Sequence, residues 1–326
     1  MEGGASDERP MKVYSAVQVA ERLPYRLLIE CLRKAFADHI HVPPRSLYTI
    51  DSPTGSKSVF GLMPAWQAGL IGAKLLTIFP DNILKGLPTI HAQILLFDGN
   101  TGVPTAVIDG TEVTRRRTAA ASALAASFLA HEQSEYLLIV GTGPQALHQA
   151  LAHAEVRPIK QVGIWGRSPE KARAVVQSLV QSSPQLSVSM IENLEIAVRK
   201  ADMISCVTGA VEPVILGKWL KPSAFIDLVG SHTPDRRECD DETVKLSRIY
   251  VDTIEGALAE AGDVLIPLRS GVICESDIVG DLHGLCRGQV RGRIASDEIT
   301  LFKSVGTALE DLAAAGLVAT ESNNWN

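Results

Sequence analysis

Short apolar runs and polar punctuation divide the chain into two stretches of different rhythm. In the first, up to about Val113, apolar positions within Tyr25–Ala37 recur at helical spacing, and the loop "HVPPRS" follows. The runs "SVFGLMPA", "LIGAKLLTIFP", "TIHAQILLFD" and "PTAVID" then read as strands. "DGNTG" between the last two reads as a hairpin turn, because Asp-Gly and Asn tolerate positive φ. Strands joined by turns predict an antiparallel or mixed sheet.

From about Ser134 the runs "YLLIV", "QVGIW", "LSVSM", "MISCV", "AFIDLV" and "RIYVD" alternate with helical or loop segments. That alternation predicts a doubly wound parallel sheet. The closing stretch "EITLFKSVGTALEDLAAAGL" reads as a short strand and an amphipathic helix, expected to return to the first part and make it discontinuous.

Composition narrows the class. At 326 residues, 46% hydrophobic and 21% charged, the chain is an ordinary globular mixture with room for two domains. A net charge of −6 gives no reason to expect nucleic acid or an anionic membrane as partner. No apolar run approaches the ~20 residues of a membrane span. The start, "MEGGASDERPMK", lacks the pattern of a signal peptide and reads as a short disordered tail. Five scattered cysteines without a CxxC pair favour reduced thiols and a cytoplasmic protein. The histidines show no HxxxH spacing, so no metal is expected.

The strongest chemical signal is "YLLIVGTGPQALHQALAHA", which sets Gly141, Gly143 and Ala146 between a strand and a helix. In this GxGxxA pattern the glycines make the tight turn and let the backbone approach a pyrophosphate at the positive helix end. Pro144 and Gln145 complete the loop. Ala146, Leu147, Ala150, Leu151 and Ala154 are expected to form the buried helix face. After the second strand, "WGRSPEKA" offers Gly166, Arg167 and Ser168 where NAD enzymes carry a ribose-binding acid. This predicts NADPH, with NADH weaker; the alternative is that Ser168 merely caps a helix beside a solvated Arg167.

"TEVTRRRTAAASALAA" sets three arginines against a run of tiny side chains, readable as a solvated basic corner or as an anion site. Together with "DGNTGVPTAVIDG", "LLIVGTGPQA", "IWGRSPEKA", "LVGSHTPDRREC" and "FKSVGTALED", it resembles the ornithine cyclodeaminase/mu-crystallin family. The resemblance implies a homodimer with a Rossmann NADP-binding domain (118–302) and a discontinuous α+β substrate-binding and dimerisation domain (1–117 and 303–326).

It further implies that Arg45, Lys74 and Arg117 surround a substrate carboxylate, with Val305 nearby and Thr89 near the nicotinamide. Arg115 and Arg116 have no such match and are expected to be solvated. Thr208, Val229, Gly230, Ser231 and His232 complete the expected cofactor set. Lys74 is the candidate proton donor, on condition that burial and neighbouring arginines lower its pKa.

Family members that expel ammonia from ornithine carry a Gly-Asp pair where this chain has Ser231-His232. The implied activity is therefore reduction of a cyclic imino acid by NADPH, Δ1-pyrroline-2-carboxylate to L-proline or its piperideine homologue. An alanine dehydrogenase-like enzyme and a mu-crystallin-like binder of NADPH and a small ligand remain alternatives.

Overall fold

The computed structural model describes residues 10–51 and 56–320. Residues 1–9 of the expected N-terminal tail (1–12) and the last six residues of the expected first domain lie outside this range; Lys12, at the end of that expected tail, begins a strand. The chain forms two compact units: residues 1–24, 39–114 and 308–326, and residues 25–38 and 115–307.

The first unit is built on a six-stranded sheet of β1 (Lys12–Tyr14), β2 (Ser46–Asp51), β3 (Lys57–Gln67), β4 (Leu70–Ile78), β5 (Ile90–Asp98) and β6 (Pro104–Asp109). Their order is β1-β6-β5-β4-β3-β2, antiparallel except for the β1–β6 pair. The β5–β6 turn closes as expected, with Asp98 accepting the N–H groups of Asn100 and Thr101. Only Gly102 of that turn takes a positive φ, 74°.

Register sorts the two faces of this sheet. Met63 opposite Lys74 and Ala65 opposite Gly72 lie on the buried face, while Trp66 opposite Ile71 and Leu62 opposite Leu75 lie on the other. Helix Ala308–Ala319 packs on the strands, and its Leu312 comes so close that a Cβ at Gly72 would lie 2.7 Å from Leu312 Cδ1. The expected amphipathic pattern does not hold. Nearly every side chain of this helix is buried, Glu310 and Asp311 included.

The second unit carries an all-parallel sheet of β7 (Tyr136–Val140), β8 (Gln161–Trp165), β9 (Ser187–Met190), β10 (Met203–Cys206), β11 (Phe225–Leu228), β12 (Ser247–Val251), β13 (Ile278–Asp281) and β14 (Ile299–Lys303). The order is β13-β12-β14-β11-β10-β7-β8-β9. The strands are near-continuous apolar runs because helices cover both faces of a doubly wound sheet. Leu138, Val140, Ile204, Ile226, Leu228 and Leu301 form the centre of its core. The chain runs outward from β7 in both directions, through β8 and β9 on one side and β10 on the other. The β7–β10 neighbourhood is thus the topological switch point where α/β sheets take ligands.

Three segments group differently from the expected domains: residues 25–38, 115–117 and 303–307 all belong to the second unit. Helix Tyr25–Ala37 packs on helix Leu282–Cys286 and belongs to the second unit. Residues 303–307 also belong there, because β14 pairs in parallel with β11 and β12. The division falls within helix Gly110–Leu129, after Thr114. From Ala119 to Ala126 that helix is buried all round, which its Ala/Ser run permits.

Candidate functional site

The expected cofactor residues of the second unit lie at or just beyond the carboxyl ends of its strands. Gly141 follows β7 with φ 132°, and a Cβ there would sit 2.7 Å from the Val207 carbonyl oxygen. Gly143 meets nothing within 4 Å of a built Cβ, so its backbone faces open space. One glycine makes the turn and the other leaves room for a ligand. Helix Gln145–Ala154 begins immediately after Pro144 and presents its N-terminal N–H groups, the arrangement that receives a phosphate.

The face by which that helix packs differs from expectation. Ala146, Gln149, Ala150 and His153 are buried, whereas Leu147, Leu151 and Ala154 are only half-buried. Two polar side chains enter the core because they have partners there. Gln149 donates to Ser122 Oγ at 3.3 Å, and His153 Nε2 lies 3.2 Å from Asp227 Oδ2. Asp227 also accepts from Ser122 and Ser205, at 2.9 and 2.6 Å.

A cavity of about 650 Å³ opens at the switch point. Gly141–Gly143 form one wall, Trp165–Ser168 with Lys171 a second, and Val207–Val214 a third. Arg167 and Lys171 are exposed cations on the second wall. Ser168 does cap a helix, its hydroxyl accepting the Lys171 N–H at 3.3 Å, and that leaves its O–H able to donate. Gly166 has a packing reason beyond the lack of a carboxylate, since a Cβ there would approach Thr142 Cγ2 to 2.5 Å.

The far wall is tied down by Glu238, which is fully buried. Its Oε1 accepts Thr208 N–H at 2.6 Å and Thr208 O–H at 2.8 Å, and its Oε2 accepts Gly230 N–H at 2.7 Å. Burial pushes this carboxyl up to about 7; the Lys303 ammonium opposes the rise and Asp263 adds to it. Val229 is half-buried and His232 exposed, with His232 Nδ1 3.1 Å from the Gly230 carbonyl oxygen. Ser231, next to Gly230, is wholly buried.

The other expected residues divide between the units. In the second, Arg117 is buried at 5% exposure, beside the Val305–Gly306 turn. Gly306 has φ 79°, and a Cβ on it would lie 2.5 Å from Arg117 Nη1. Asp252 fixes that turn by accepting the N–H groups of Val305 and Gly306 at 2.7 and 2.6 Å. Burial raises its carboxyl above the usual range. Arg115 and Arg116 are half-buried rather than solvated, and Arg116 lies over the Tyr25 ring at 5.4 Å, a cation–π contact that explains its position.

In the first unit Arg45 is half-buried in the loop before β2, and Thr89 is half-buried just before β5. Lys74, on β4, is 3% exposed, with Nζ 2.6 Å from Asp311 Oδ2. This carboxylate is a neighbour that the sequence reading of Lys74 does not include. Asp311, Glu238, Asp252 and Lys171 were missed in the sequence. For Asp311 and Asp252 the available signal was an acid set in apolar surroundings, as in "ALEDLAAAGL" and "RIYVDTI"; Glu238 and Lys171 lie in charged stretches that carry no such signal. Among the described residues no cluster of His, Cys, Asp or Glu is arranged to hold a metal ion.

A doubly wound parallel sheet, a glycine turn at a helix N-terminus and a cavity at the switch point together define a Rossmann-type α/β protein. More particularly, the chain belongs to the ornithine cyclodeaminase/mu-crystallin family, whose model matches residues 9–324. It is 40% identical over 308 residues to a Δ1-pyrroline-2-carboxylate reductase of Colwellia psychrerythraea, covering 94% of this chain and 97% of that one. The structure of the Thermococcus litoralis Δ1-pyrroline-2-carboxylate reductase, in complex with NADH and L-proline, matches with TM-score 0.89 and 34% identity over 95% of this chain and 96% of that one. An archaeal alanine dehydrogenase dimer with bound NAD matches with TM-score 0.87 and 28% identity over 95% of each chain.

Proposed function

We propose that this protein is a NAD(P)H-dependent reductase of cyclic imino acids that converts Δ1-pyrroline-2-carboxylate to L-proline. The observation that carries the choice of reduction over deamination is the state of the aspartates near Ser231-His232. Asp227 is sealed in the core with both oxygens engaged by Ser122, Ser205 and His153. Asp227 is therefore not available to take a proton from a substrate amine, and Asp235 stands exposed, outside the Ser231-His232 position. The relatives named as Δ1-pyrroline-2-carboxylate reductases support the same reading.

In this reading a bound reduced nicotinamide supplies hydride to the imine carbon. Gly141, Gly143 and the N–H groups at the start of helix Gln145–Ala154 hold the pyrophosphate. Arg167, Lys171 and the Ser168 hydroxyl receive a 2′-phosphate, which favours NADPH over NADH. Arg117 offers a planar fork to the substrate carboxylate. Lys74, with Nζ 2.6 Å from Asp311 Oδ2, supplies the proton that the imine nitrogen needs.

The uncovered face of the first unit's sheet exposes Phe60, Trp66, Ile71 and Leu75, which supports a second copy of this chain as partner. A cytoplasmic location is supported by five cysteines that are all free thiols. Among the described residues no helix is long and apolar enough to cross a membrane.

The test follows NADPH oxidation at ~340 nm with pyrroline-2-carboxylate, piperideine-2-carboxylate, and pyruvate plus ammonia side by side, and ammonia release from ornithine with oxidised cofactor. Imine-dependent oxidation without ornithine deamination is expected. Ammonia release at a comparable rate overturns the reading. Quenched NADPH fluorescence without turnover of any substrate would identify a binding protein instead.

A further inference from the structure

Glu238 is a buried carboxylate with three donors converging on it from two separate loops. Thr208, after β10, gives its N–H and O–H, and Gly230, after β11, gives its N–H. The backbone of Glu238 extends the tie, because its carbonyl accepts the N–H groups of Val214 and Ile215 at 2.9 and 3.0 Å. The Thr208 hydroxyl in turn accepts Ala210 N–H at 3.2 Å. The cavity wall running from Thr208 to Val214 therefore hangs at both ends from one residue that does not itself line the cavity. The two loops touch where they are joined, since a Cβ on Gly230 would lie 1.9 Å from the Thr208 carbonyl oxygen.

We propose that Glu238 is a positioning residue of the cofactor site, whose carboxylate locks the Thr208–Val214 wall to the Gly230 turn and so sets affinity for the dinucleotide. The inference rests on the reading of this cavity as the nicotinamide cofactor site. Protonation would undo the lock. An O–H at Oε2 opposes a donor to the Gly230 N–H, and one at Oε1 competes with the two Thr208 donors.

The charged and titratable groups that face Glu238 are Lys303 on β14, Asp263 on helix Gly262–Arg269, and the thiols of Cys206 and Cys239. Burial raises both thiols well above their usual range, so they stay neutral. Asp263 anchors the arrangement from behind by accepting the Glu238 N–H at 2.7 Å, and its other oxygen lies 3.3 Å from Lys303 Nζ. With the carboxyl near 7, the lock forms and releases close to neutrality.

The experiment measures dissociation constants for NADPH and NADH by fluorescence from about pH 6 to pH 8, with steady-state reduction of pyrroline-2-carboxylate and melting temperatures alongside. Glutamine keeps the shape but satisfies fewer donors. Glu238→Gln is expected to weaken cofactor binding about tenfold at pH 8, with kcat at saturating cofactor and KM for the imine within about twofold. The gap should close toward pH 6, where the wild-type carboxyl is protonated. Thr208→Val removes one donor and should give a smaller loss, about threefold, which keeps the test open if the first variant folds poorly. Unchanged dissociation constants at pH 8, or a fall in kcat without weaker binding, overturn the inference. If wild type binds neither dinucleotide, the reading of the cavity itself fails, and the inference with it.

Discussion

Lys74 Nζ lies 2.6 Å from Asp311 Oδ2, with the two side chains at 3% and 2% exposure. A strand lysine and a helix aspartate thus meet inside the first unit, where neither charge is tolerable alone. Breaking a buried pair by removing one partner costs roughly 3–5 kcal/mol, whereas replacing both with apolar groups is often neutral. Asp311→Asn should lower unfolding free energy by about that amount in a denaturant titration. The double variant Lys74→Met/Asp311→Leu should recover most of the stability and none of the imine reduction. Recovery of activity in the double variant would remove Lys74 from the mechanism.

Arg167 and Lys171 stand exposed on the same cavity wall, where the proposed function puts a 2′-phosphate. Arg167→Ala should raise KM for NADPH on the order of tenfold while leaving KM for NADH within about twofold, as loss of one charge-assisted contact predicts. Lys171→Ala should act in the same sense. Equal effects on both cofactors would sink the preference for NADPH.

Arg117 is fitted into its place by Gly306, and the contact leaves no room for a Cβ at that glycine. Lysine would replace a planar fork by a point charge. Arg117→Lys should cut kcat/KM for the imine on the order of 10²-fold, with cofactor affinity kept. Arg115→Lys should change it little. Similar losses from both substitutions would return Arg117 to the status of a basic corner.

The pH dependence of stability has a sign that follows from burial. The Glu238 carboxyl is raised to about 7 from an ordinary 4.5, chiefly by desolvation. Its neutral form is therefore the one the folded core favours. That contribution is fully present below about pH 4.5 and lost as pH rises through about 7. Asp252, also raised by burial, acts in the same direction. Relative to Glu238→Gln, wild type should lose unfolding free energy of a few kcal/mol at most between about pH 5 and pH 8. Cofactor affinity should move the opposite way. Parallel stability curves for the two proteins would show that Glu238 does not titrate in this range.

The sequence by itself determined the elements and their classes. Alternating and continuous apolar runs separated the mixed sheet from the parallel one, and GxGxxA between "YLLIV" and its helix located the glycine turn. These signals are local: periodicity and turn chemistry act over a few residues, so they are written in consecutive positions. Only the tertiary structure decided which buried charges meet. Lys74 and Asp311 are far apart in the chain, as are Asp252 and Gly306, and Glu238 reaches Thr208 across two strand ends. It also overrode local patterns. Helix Ala308–Ala319 is buried all round although it carries Glu310 and Asp311, and helix Gln145–Ala154 buries Gln149 and His153 in preference to two leucines. A polar side chain belongs in a core only when a partner waits there, and the partner is supplied by the fold rather than by neighbouring sequence.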